Sequence, residues 1–133
     1  QLVEPISRLV TNSVSCTSAF SQKAAAAAIQ GPQDSVKMML EEFKERSKIV
    51  VSGFNEINGI SCIQPKGAFY AFPNIKDTGY KSQDLSDALL KQGVAVLPGT
   101  SFGKFGEGYL RISFANSREN LKKALNIIKE FLD

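Results

Sequence analysis

The sequence predicts an α+β domain, a small mixed or antiparallel sheet with helices packed on it. Residues 109–115, YLRISFA, alternate polar and apolar side chains, the signature of a strand with one face buried. Residues 33–58 carry Val36, Met39, Leu40, Phe43, Val50, Phe54 and Ile57 mostly at three- and four-residue steps, which makes one apolar stripe on a long helix. The elements then follow as helix, helix, strand pair, helix, strand, strand, helix, an order that suits helices layered on one sheet.

Taken in order, Leu2, Ile6 and Leu9 have helical spacing, and Pro5 fits there in a first turn or at a kink. Residues 11–17 are rich in hydroxyls and read as a linker. Residues 18–30 contain five consecutive alanines, 24–28, the strongest helix formers, and Gly31-Pro32 ends that helix. The long helix over 33–58 has Asp34 at its positive end and Asn58-Gly59 as a left-handed stop. Met38, Met39 and Phe43 are assigned to the core.

Residues 60–63 and 68–72 read as the strands of a hairpin around a proline-containing loop. Phe69 and Tyr70 are placed in the sheet core. Ser82 caps a helix to residue 92, ended by Gly93. A strand follows at 94–97, then a loop over 98–108 with four glycines. Ser117 caps a final helix with Leu121, Leu125, Ile128 and Leu132 facing inward. The expected division is a helical segment, 1–32, and a domain, 33–133.

The totals narrow the chemistry. At 133 residues, 43% hydrophobic and 22% charged, the chain can form one domain with a real core. A net charge of +3, with lysines and acids interleaved, leaves no nucleic-acid footprint and no membrane-targeting patch. No signal peptide is expected, and the sequence holds no apolar run of membrane-spanning length. Cys16 and Cys62 lack metal-ligand spacing and are expected to be reduced in a cytoplasmic protein. Histidine is absent, which excludes a self-contained Ser-His or Cys-His hydrolase and a histidine-based metal enzyme. Gln1 is not a natural first residue, so the chain is expected to be a piece of a longer polypeptide.

Arg111 is the residue of most interest. Leu110, Ile112 and Phe114 share one face of its strand, and Tyr109, Arg111 and Ser113 share the other. A permanent cation behind a glycine-rich loop suits a planar fork waiting for a carboxylate. It equally suits a sheet arginine paired with a nearby acid, and spacing alone leaves both readings open.

KGAFYAFP at 66–73, PGTSFG at 98–103 and GYLRISFA at 108–115, in that order, resemble the C-terminal part of class I aminotransferases, pyridoxal-phosphate enzymes with the aspartate aminotransferase fold. The resemblance runs from about residue 11 to the end. It implies that Arg111 binds the substrate α-carboxylate. It implies that the strand of Phe69 borders the active-site cleft, so Phe69 walls the substrate. It places Thr11 where some members read the substrate side chain, near the partner subunit of a homodimer; a hydroxyl there argues against a dedicated second arginine for dicarboxylates. Thr11 and Ser15 also read simply as cap and linker hydroxyls.

A transaminase further needs a Schiff-base lysine, which the family carries in a Ser-x-x-Lys-type motif. Ser21-Gln22-Lys23 is one residue short, and Ser101-Phe102-Gly103-Lys104 lies after the 66–73 motif, where the family has a loop. The lysine, pyridoxal 5'-phosphate and a large N-terminal domain are therefore expected upstream, and this chain alone is expected to be inactive. The implied reaction moves an amino group between an amino acid and a 2-oxo acid. The alternatives are a non-catalytic α+β binding or regulatory module, or a lyase or synthase of the same fold.

Overall fold

The computed structural model describes residues 2–133. The chain forms two compact units, one ending at Lys37 and one spanning Met38–Asp133. The first contains α1 (Val3–Ser13) and α2 (Ala19–Gln30). Pro5 lies in the first turn of α1, where its missing N–H leaves no helical bond unmade. The linker predicted over 11–17 begins later than expected. Thr11 Oγ1, Asn12 Nδ2 and Ser13 Oγ each donate to the carbonyl four residues back, at 2.8, 2.8 and 2.7 Å. Side chains that elsewhere pull the backbone into turns here bond the helix's own carbonyls, and α1 continues through them. Ser15, at φ 60°, then redirects the chain. The alanine run forms α2 as predicted.

The longest helix, α3 (Asp34–Asn55), stops three residues before the predicted end. The Asn55 side chain binds the Cys62 backbone twice, donating to its carbonyl at 3.0 Å and accepting from its N–H at 2.8 Å. Gly59 has the expected positive φ, 79°, and a Cβ there would lie 2.9 Å from the Asp77 carbonyl oxygen. The buried residues of α3 are Ser47, Val50 and Phe54, and Phe43 is half-buried beside them. Val36, Met38, Met39 and Leu40 are exposed. The placement of Met38 and Met39 in the core is thus corrected: the core closes on the C-terminal half of α3 only.

Three short strands form one sheet in the order β1 (Tyr70–Ala71), β3 (Leu110–Ser113), β2 (Leu97–Pro98), with both pairs antiparallel. Tyr70 pairs with Ser113 and Ala71 with Ile112; Leu97 pairs with Arg111 and Pro98 with Leu110. The predicted hairpin of 60–63 with 68–72 does not form. Ser61 bridges Asn74, and β1 pairs with the distant β3. Ala68, at φ 58°, interrupts the extended backbone that the longer strand would need.

Two further helices cover the inner face. In α4 (Ser82–Lys91), Ser82 is the first helical residue and is buried, so it is not the cap. Its N–H donates instead to Glu107 Oε1 at 3.0 Å. Its hydroxyl accepts from Gly108 N at 2.8 Å and Tyr109 N at 3.2 Å, which ties the glycine-rich loop to α4. In α5 (Arg118–Leu132), Ser117 caps as predicted, accepting from Asn120 N at 3.1 Å. Leu121, Leu125 and Ile128 of α5 meet Leu85, Leu89, Leu110, Ile112, Phe114, Phe54 and Ala71 in one core. Each such large apolar side chain contributes about 1.5–3 kcal/mol on burial.

Candidate functional site

The alternation of β3 sends Leu110, Ile112 and Phe114 into the core and leaves Arg111 half-buried on the opposite face. Leu97 lies directly across from Arg111, and Tyr70, opposite Ser113, is its diagonal neighbour on β1. The guanidinium carbon sits 4.4 Å from the centre of the Tyr70 ring and 3.9 Å from that of Phe102. Phe102 belongs to a short 3₁₀ turn, Gly99–Phe102, in the loop between β2 and β3. Beside Arg111 opens a cavity of about 160 Å³ lined by Tyr70, Ala95, Val96, Leu97, Arg111 and Ser113.

The other three arginines all pair with glutamate: Arg8 with Glu4, and both Arg46 and Arg118 with Glu42. Arg111 has no carboxylate partner among the described residues. The ion-pair reading left open by the sequence is therefore not the one the structure adopts. Its guanidinium is set against two aromatic rings and borders the small cavity, with no side-chain acid of the described residues on it. A larger cavity, about 400 Å³, opens between residues 93–95 and α5, but no arginine lines it.

Phe69 and Tyr70 are not core residues. Their exposures are 40% and 36%, because Ala71 takes the buried position of β1. Phe69 is one ring removed from Arg111: it packs on Tyr70 at 4.4 Å and on Phe43 at 6.2 Å. Thr11 lies exposed in α1, its hydroxyl engaged by Ser7, in the unit that ends at Lys37. Sequence reasoning missed Tyr70 and Phe102 as neighbours of Arg111. The period of two that placed Arg111 outward also places Tyr70 outward once Ala71 is taken as the inward residue. No comparable signal marks Phe102, which reaches Arg111 from a loop.

Two lysines bear on cofactor anchoring. Lys23 is exposed on α2, and Lys104 is exposed in the loop with its ammonium 5.0 Å from the Phe105 ring. Neither lines the cavity at Arg111. With no lysine in its lining, the cavity at Arg111 does not make an anchoring set for pyridoxal phosphate. Among the described residues there is no cluster able to hold a metal ion, and no helix is long and apolar enough to cross a membrane.

The fold is thus an antiparallel sheet backed by helices, with an arginine beside a small cavity on the outward side of its central strand. The family model for aminotransferase class I and II matches residues 2–128, and the chain belongs to that family. It is 40% identical over its whole length to an aspartate aminotransferase of Pyrococcus horikoshii, covering 35% of that protein. It is 39% identical, over 98% of its length, to aromatic-amino-acid aminotransferase 2 of Thermococcus litoralis, covering 34%. The solved structure of an aromatic aminotransferase from Pyrococcus horikoshii superposes with a TM-score of 0.91 at 40% identity, over 98% of this chain and 36% of that one. The chain thus spans about a third of the length of the curated relatives it matches. The family generally uses pyridoxal phosphate.

Proposed function

We propose that this chain is the C-terminal small domain of a pyridoxal-phosphate-dependent aminotransferase, and that Arg111 holds the α-carboxylate of its amino-acid and 2-oxo-acid substrates. One observation supports this most: in a chain of this family, the guanidinium of Arg111 has no carboxylate partner among the described residues and borders a small cavity beside β3. Two parallel hydrogen bonds from the fork would fix the carboxylate and so the rotation of the substrate's remaining bonds. Bound pyridoxal phosphate supplies the electron sink for the amino-transfer chemistry. Its lysine and phosphate donors belong, on this reading, to a large domain N-terminal to residues 1–32, with 33–133 as the closing domain. The whole protein then acts in the cytoplasm as a homodimer, with Phe69 on the cleft wall and Thr11 near the substrate side chain of the partner's site.

The test is Arg111→Lys in the protein as its gene encodes it. Lysine keeps the charge and loses the fork. A charge-assisted contact of about 1.5–3 kcal/mol corresponds to a loss in kcat/KM of roughly 10- to 150-fold. Unchanged kcat/KM for both the amino donor and the 2-oxo acid would sink the assignment.

A further inference from the structure

Arg111 is not held by an ion pair, yet a fork must be held to be useful. What touches it is aromatic. Phe102 and Tyr70 lie 3.9 and 4.4 Å from the guanidinium carbon, distances at which a ring face attracts the cation. Each ring is braced by others. Phe72 meets Phe102 edge-on, at 6.3 Å and 75°, and stacks on Tyr109 at 5.4 Å and 21°. On the other side Tyr70 packs on Phe69, and Phe69 on Phe43. The guanidinium lies between two braced sets of rings; Arg46 and Lys76 sit over the outermost rings, Phe43 at 5.3 Å and Tyr109 at 5.0 Å, and neither touches Phe102 or Tyr70.

Phe102 differs from the rest because it comes from a loop. That loop is closed by its own backbone. A Cβ on Gly99 or on Gly106 would fall on the carbonyl oxygen of the other, so only glycine permits the approach. Ser82, buried beneath, binds Gly108 N and Tyr109 N and fixes the return of the loop into β3. A ring that is half-exposed, and so adds little to the core, is thereby set against the arginine that has no acid partner among the described residues.

We propose that Phe102 is a positioning residue for the Arg111 fork: its ring fixes the plane of the guanidinium without competing for the hydrogen-bond donors at its edge. A glutamate or aspartate in the same place would orient the fork and also occupy it. An aromatic ring orients it and leaves every N–H free. This rests on the reading of Arg111 as a carboxylate site, and it adds a residue whose effect must be independent of the rest of the ligand, since only the carboxylate meets the fork.

The experiment measures dissociation constants by calorimetry, in the protein as its gene encodes it. The probes are two carboxylates that lack an amino group, succinate and 3-phenylpropionate. Phe102→Leu is expected to weaken both about fivefold to tenfold, in line with the loss of one ring–cation contact, and Phe102→Tyr to restore both. In an Arg111→Lys background, Phe102→Leu is expected to have little further effect, because the planar group it orients is gone. Weakening of 3-phenylpropionate alone would make Phe102 a wall for the ligand's side chain and overturn the proposal. So would unchanged constants for both probes, or an equal further loss in the Arg111→Lys background. If Phe102→Leu lowers the melting temperature, Tyr70→Leu, which removes the other ring, carries the same expectation. Loss of binding in Arg111→Lys with none in Phe102→Leu refutes positioning alone. If neither probe binds the unaltered protein, or Arg111→Lys binds both normally, the carboxylate reading falls and the proposal falls with it.

Discussion

At Gly99 and Gly106 the glycine-rich loop touches itself, and one added methyl group decides whether it can close. Gly106→Ala would set a Cβ against the Gly99 carbonyl, which has no flexible side chain able to move aside. Overpacking of this kind costs about 1–3 kcal/mol. The denaturant midpoint of the variant is therefore expected to fall, and a midpoint equal to that of the unaltered chain would refute the close contact. The outward face of Arg111 was legible because a strand's side-chain period fixes its face once Leu110, Ile112 and Phe114 are taken as core. Its surroundings were not. The burial of Ala71 in preference to Phe69 and Tyr70 depends on what packs beneath the sheet, and the seat of Phe102 depends on a backbone contact within a loop.

Between elements, Glu42 carries an unusual share of the polar contacts. On α3, it accepts from Arg46 Nε at 2.8 Å and takes a bidentate pair from Arg118, the first residue of α5, with Nη2 at 2.5 Å. Those hydrogen bonds, Arg118's first and Arg46's second, hold its carboxyl down from the ordinary 4.5 to about 2. A carboxyl whose pKa is depressed in the folded chain contributes stability above its unfolded value and loses it as pH falls through the folded one. The melting-temperature gap between the unaltered chain and Glu42→Gln is thus expected to be full above pH 4.5 and to close as pH falls toward about 2. A gap independent of pH would show that the ionised state of Glu42 contributes nothing to joining α5 to α3. Helices such as α2, α4 and α5 were legible nearly to their ends because periodicity, caps and breakers are local. Strand pairing was not, since residues 60–63 and 68–72 are close in sequence while β1 takes its bonds from β3, and only the assembled core makes that choice.

For the molecule as a whole, the two units differ in what supports them. The unit of residues 38–133 has a continuous core, whereas α1 and α2 bury no residue. Their lengths are 11 and 12 residues, and isolated helices below about 12–15 residues are marginal in water even when rich in alanine. Leu2, Ile6, Leu9, Phe20 and Ile29 are all exposed along them. Apolar side chains on helices with no core of their own gain stability only from a surface that covers them. If the chain is one domain of a longer aminotransferase, as proposed, the remaining two-thirds of the protein supplies that surface. Amide hydrogen exchange distinguishes the cases. In the 133-residue chain, amides of α1 and α2 are expected to exchange much faster than those of β3 and α5. In the protein as its gene encodes it, the same α1 and α2 amides are expected to slow by orders of magnitude, with little change in β3. Equal, rapid exchange of α1 and α2 in both proteins would mean that nothing covers them, and the division into a linking helical segment and a closing domain would have to be abandoned.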